Sequence, residues 1–185
     1  MVVGLDTAIG QLTEAAKDKL GEDTVVVVSS DNGGSVWFGG LNAPFRSGKL
    51  NVLEGGVRVP AFLRDFNGRY VGQQGREFEH KMHISDWLPT FLSWANSKEL
   101  IEGNGFDGID QSEALLTGSE ARTELLLDLY TAEDSHDNKN MAAYIKGDYK
   151  LIEGYIRDPY YYSEPHTDRV ETIIIIIIIT NLYTG

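Results

Sequence analysis

At 185 residues the chain is long enough to bury a real core, and 42% hydrophobic against 24% charged residues exclude a disordered or fibrous class. The formal charge of −12, from 28 acidic and 16 basic residues, excludes a polyanion-binding surface spread over the whole chain, so no nucleic-acid partner is expected and any anion must be met locally. Cysteine is absent, which removes disulfides, thiolate metal sites and a cysteine nucleophile from these residues and leaves the redox compartment open.

No signal-peptide pattern opens the chain. From Leu5 the apolar residues Ile9, Leu12, Ala16 and Leu20 recur at helical spacing and Gly21 follows, which predicts a helix over 5–20. Thr24 to Val28 is an unbroken apolar run, read as a buried strand of a parallel sheet, and helix followed by buried strand is the order of an α/β protein. Residues 30–58 are rich in glycine and show little periodicity, a pattern that compact domains keep for functional loops. Val57 to Leu63 is expected to form another strand, with Pro60 at an edge or break.

In "ISDWLPTFLSWAN", residues 84–96, Ser85 suits an N-cap, Asp86 the positive end of a helix and Pro89 its first turn. Trp87, Leu88, Phe91, Leu92, Trp94 and Ala95 then make one apolar face, a core stripe rather than a cofactor box. Strands are expected over 123–130, 141–146 and 149–153, the last two joined by Gly147 and Asp148 as a hairpin. The division expected is 1–118, 119–160 as a small antiparallel subdomain, and an atypical tail over 161–185. Residues 173–179 are seven consecutive isoleucines, too short to span a bilayer and an aggregation hazard, which marks the tail as unlike the end of a natural domain.

Asp31 and Asn32 come directly after the valine strand in "SSDNGG". A carboxylate beside an amide oxygen suits calcium or magnesium, yet two ligands do not make a site, and an Asn-Gly turn in which Asp31 only bonds backbone is the commoner use of such residues. Arg46 and Lys49 in "PFRSGK" are cations on a glycine loop of an acidic chain, either a local anion site or two solvated surface charges. Gly55 and Gly56 mark positive φ or close backbone approach, and Arg58 is a candidate buried ion-pair partner. His83 faces either a cleft or a structural hydrogen bond; Asp107 and Asp110 in "FDGID" read as turn residues.

In order along residues 3–154, "GLDTAIGQL", "SSDNGG", "PFRSGK", "EGGVRVPAF", "MHISDWLPTFL", "FDGID" and "YIKGDYKLI" resemble the sulfatase family, in its arylsulfatase B-like branch. The resemblance implies an alkaline-phosphatase-like α/β fold followed by a small domain with an antiparallel sheet. It implies hydrolysis of sulfate esters, of a sulfated small molecule or sugar, by a formylglycine nucleophile made from cysteine in C-x-P-S-R, with calcium and cationic side chains on the sulfate. By that resemblance Asp31 and Asn32 are calcium ligands and Lys49 is the sulfate-binding lysine, while Arg46 and His83 are weaker candidates. Lysosomal or secreted placement is implied too.

The cysteine motif, its S-x-[PA]-x-R counterpart and the family's first aspartate pair are absent from these residues. The chain therefore reads as a C-terminal portion, inactive alone, with weak calcium affinity at best. Two rivals stand beside this reading: a phosphoester hydrolase of the same superfamily, and a non-catalytic truncated product.

Overall fold

A computed structural model describes residues 2–72, 74–131, 133, 141–154 and 174–180. Helix α1 (Val2–Leu20) is followed by strand β1 (Thr24–Ser30), a single turn α2 (Glu54–Val57) and strand β2 (Ala61–Asp65). Helices α3 (Trp87–Trp94) and α4 (Ser112–Thr117) precede β3 (Glu124–Tyr130), β4 (Met141–Lys146), β5 (Tyr149–Gly154) and β6 (Ile174–Thr180). The expected first helix and strand are therefore present, each slightly longer than its pattern. Gly21 stops α1 at φ 88°, its N–H donating 3.0 Å to the Lys17 carbonyl, and Lys17 and Lys19 suit the negative end of the helix.

One sheet has the order β2-β1-β6, and every residue of β1 is buried. The Ser30 N–H donates to the Pro60 carbonyl (3.1 Å) while the Phe66 N–H donates to the Thr24 carbonyl (3.4 Å). Opposite ends meet, so β1 and β2 run antiparallel, which corrects the expectation of a parallel strand at this pairing: an all-apolar strand reports burial on both faces, not the direction of its neighbour. A second correction concerns Val57 to Leu63, whose first residues close α2 and whose strand starts only at Ala61. The isoleucine run supplies β6; otherwise the expected tail over 161–185 lies outside the described residues.

The chain divides into two compact units. The first comprises residues 1–27, 63–123 and 176–185. Its core joins Val25, Val27, Trp87, Trp94 and Leu115, with Leu63, Tyr70 and Phe91 packed against them. Trp87 and Phe91 stack at 5.4 Å, and Tyr70 lies 5.2 Å from Trp94. The aromatic members of the stripe are thus core as expected, whereas Leu88 is half exposed and Ala95 is exposed too. Ser85 is not the cap. A 3₁₀ turn over Ile84–Asp86 leads into α3, and His83 caps it: its ring accepts from the Ser85 N–H while the Asp86 carboxylate accepts from the His83 N–H, a reciprocal capping box.

The second unit comprises residues 28–62 and 124–175. It holds the three-stranded antiparallel sheet β3-β4-β5. Lys146 pairs with Tyr149, which leaves Gly147 and Asp148 as the two-residue hairpin loop that the sequence signals, with Gly147 at φ 55°. The ladder from β3 to β4 slips once, between Leu126 and Asp128.

Candidate functional site

Strand β1 ends by handing the chain to Asp31 and Asn32, and the first links there are local. The Ser30 hydroxyl donates to the Asn32 carbonyl (2.9 Å), Asp31 Oδ1 accepts the Asn32 N–H (2.8 Å), and Asn32 Nδ2 donates to the Gly33 carbonyl (2.9 Å). The turn reading is therefore real. It also has a chemical consequence: the Asn32 amide nitrogen is committed to backbone, which presents Oδ1 as its acceptor, and exposed Asp31 keeps Oδ2 beside the oxygen it spends on the turn.

Beyond this turn the chain forms a cluster of loops built on glycine. The Gly33 N–H donates to the Gly56 carbonyl at 2.9 Å, and a Cβ on Gly33 would sit 1.6 Å from the Gly55 carbonyl oxygen. A Cβ on Gly48 would meet the Gly34 carbonyl oxygen at 2.3 Å, one on Gly55 the Ser47 oxygen at 2.3 Å, and one on Gly56 the Asn51 oxygen at 2.0 Å. Side chains are excluded because three backbone segments touch. Of the two roles open to Gly55 and Gly56, close approach is the one they play; neither has positive φ.

This packing brings four of the sequence candidates, Asp31, Asn32, Arg46 and Lys49, into one loop cluster. The Lys49 N–H donates to the Gly34 carbonyl (3.3 Å), which ties the lysine to the loop segment that follows Asp31 and Asn32. Lys49 is half-buried. Arg46 is exposed, and its carbonyl accepts the Gly55 N–H at 2.9 Å. His83 belongs to the first unit, where its Nδ1 lies 2.7 Å from the Ser85 hydroxyl, the structural role that competed with the cleft in the sequence. Arg58 is exposed and lies over the Phe45 ring at 5.0 Å, not in a buried ion pair.

Asp31 and Asn32 offer hard oxygen donors, which fits calcium in kind, but a calcium ion takes about six to eight oxygens. Among the described residues no group of three or more His, Asp or Glu side chains is placed to hold a metal. Two such donors would supply only part of that shell.

Sequence reasoning missed the most connected carboxylate among the described residues. Asp86, read only as a helix-end residue, is fully buried and pairs with Arg122. Oδ2 accepts from the His83 N–H (2.9 Å), Arg122 Nε (2.9 Å) and Gln111 Nε2 (3.1 Å), and Oδ1 from the Ile109 N–H (2.9 Å) and Arg122 Nη2. Burial alone would push this carboxyl up; Arg122 and the N–H donors of His83, Ile109 and Gln111 outweigh it and hold the group below the usual carboxylate range. "FDGID" is the loop that closes over it, with Gly108 so near the Ser85 carbonyl that a Cβ would lie 2.0 Å away. Asp110 is the turn residue expected, its Oδ1 accepting the Ser112 N–H at 2.8 Å. No local pattern could have joined Asp86 to a partner 36 positions away.

Residues 1–97 match the family model described as "Sulfatase". The chain is 34% identical over 120 residues to arylsulfatase J of Mus musculus, covering 64% of this chain and 19% of that protein. Steryl-sulfatase of Rattus norvegicus is 37% identical over 122 residues (60% of this chain, 20% of that protein), and human arylsulfatase A is 35% identical over 127 residues (65% and 24%). The chain thus spans about a fifth to a quarter of the length of the curated relatives it matches.

Proposed function

The chain belongs to the sulfatase family, and from that premise we propose that it furnishes part of the active centre of an arylsulfatase-like sulfuric ester hydrolase. The observation that carries this is the bond from the Lys49 N–H to the Gly34 carbonyl, which ties the backbone of a half-buried lysine to the segment that leaves the turn of Asp31 and Asn32. Lys49 binds an oxygen of the sulfate and stabilises negative charge on the transferring group. In a chain of formal charge −12, a lysine held close to a cation-binding turn gives the local anion site that the overall charge denies. Arg46, on the same cluster, adds positive potential.

Asp31 and Asn32 would hold the calcium ion, which when bound acts as a Lewis acid toward sulfate oxygens. With neither a cysteine nor the S-x-[PA]-x-R counterpart present, these residues offer none to convert to formylglycine, and we infer that the chain does not cleave sulfate esters by itself. The succession of "SSDNGG", "PFRSGK" and "EGGVRVPAF" is the feature that supports the arylsulfatase B-like branch, with a sulfated small molecule or sugar as substrate and a lysosomal or secreted setting. No helix among the described residues is long and apolar enough to cross a membrane.

The test is a titration of the isotope-labelled chain with calcium and then inorganic sulfate, read by amide NMR. Calcium is expected to shift Asp31 and Asn32, and sulfate to shift Lys49, the latter response vanishing in Lys49→Ala. An aryl sulfate incubated with the chain should stay intact. Sulfate shifts that persist in Lys49→Ala, or turnover by the chain alone, would overturn the assignment.

A further inference from the structure

Asn42 carries no charge, yet its side chain bonds backbone on two sides of the loop cluster. Its Oδ1 accepts the Gly34 N–H at 2.8 Å, and its Nδ2 donates both to the Gly34 carbonyl at 2.9 Å and to the Ser47 carbonyl at 3.0 Å. One acceptor and both amide hydrogens are engaged, all with backbone. The seat is closely fitted: a Cβ on Gly34 would come 3.3 Å from Oδ1, and one on Gly48 would come 2.6 Å from Nδ2. Asn42 itself is fixed by a turn in which the Phe45 N–H donates to its carbonyl at 2.9 Å.

Gly34 is two residues after Asn32, and Ser47 is two before Lys49. The carboxamide therefore clamps the segment that carries the carboxylate and amide oxygens to the segment that carries the ammonium group. We propose that Asn42 is a positioning residue, which sets the spacing between the Asp31–Asn32 pair and Lys49 and so makes the two halves of the anion site act on one group. This inference rests on the sulfate-ester reading. No other side chain of similar size does the same: aspartate has the shape but lacks the two hydrogens, and its charge would face two carbonyl oxygens.

The experiment compares the 185-residue chain with Asn42→Asp and, in case that variant is too disrupted, Asn42→Ala. Two quantities are read: the exchange rate of the Lys49 amide hydrogen, which is bonded to the Gly34 carbonyl, and the calcium dissociation constant from shifts at Asp31 and Asn32, expected for wild type at about 10⁻³ M, as for weak sites. The Leu115 N–H, bonded to the Gln111 carbonyl in the first unit, serves as the control for overall folding. At least tenfold faster exchange at Lys49 and at least tenfold weaker calcium binding are expected, with Leu115 unchanged. Calcium affinity within twofold of wild type in both variants would overturn the positioning role and leave the sulfate-ester reading standing. No calcium response at Asp31 and Asn32 in wild type would instead overturn the metal reading, and with it the site that Asn42 is held to organise.

Discussion

Replacing Asp86 by asparagine keeps the shape of the side chain and removes its charge. In the native structure Oδ2 receives three N–H donors and Oδ1 receives two, so whichever oxygen becomes an NH₂ faces at least two donors with nothing to accept them. The Arg122 side chain, only 13% exposed, loses its counter-charge at the same time. Breaking a buried pair in this way costs about 3–5 kcal/mol, a large part of the roughly 5–15 kcal/mol that holds a typical domain together. For a chain of this size, about 2–4 °C of midpoint per kcal/mol gives a fall of roughly 6–20 °C.

Thermal denaturation of wild type and Asp86→Asn across pH measures both the size and the origin of the effect. Because the folded-state pKa of Asp86 is lowered, its contribution is full above the unfolded value of about 3.9 and is lost as pH falls through the folded value. The gap between the two proteins should therefore be widest near neutrality, begin to narrow only below about pH 4 and close once the pH has passed the lowered folded value. A gap under about 1 kcal/mol at pH 7, the size of a surface pair, or one that does not narrow in acid, would refute the reasoning.

Three further outcomes are expected. Gly33→Ala should lose at least about 1–3 kcal/mol in urea denaturation, since its Cβ would overlap the Gly55 carbonyl and neither partner is a flexible side chain. Leu115→Ala, in the core with Trp87 and Trp94, should lower the unfolding free energy by about 2–5 kcal/mol in the same assay. Lys150 Nζ lies 2.9 Å from Glu54 Oε1 in the second unit and joins β5 to the α2 turn; with Glu54 39% exposed, a double-mutant cycle with Lys150→Met and Glu54→Gln should give a coupling of no more than about 1 kcal/mol.

Local chemistry made much of this molecule legible. A 3.6-residue apolar period ended by glycine marked α1, four valines marked the buried strand, and a two-residue Gly-Asp loop between alternating strands marked the β4-β5 hairpin. The errors came where a distant segment decides. Val57 carries strand propensity, but Gly55 and Gly56 are pinned against loop backbone, so α2 occupies the start of the expected strand and β2 begins later. Ser85 looked like a cap because it precedes an apolar face, whereas the buried Asp86 network draws the cap back to His83. At the site, Asp31, Asn32 and Lys49 were visible as chemistry, but Asn42 was not: an asparagine before Ala-Pro in a glycine-rich loop gives no sign of which backbone groups it will bond.

Loops ordinarily absorb insertions and substitutions more readily than the elements they connect. The cluster around Gly33, Gly48, Gly55 and Gly56 reverses that relation. Each glycine is confined by a carbonyl from another part of the chain, so enlarging any one of them requires a compensating shift in a partner that is itself confined. Single amino-acid changes there are blocked in almost every direction, and lengthening one loop would displace the others. A library of random variants should therefore be depleted at these four positions about as strongly as in the valine strand, although they lie in loops.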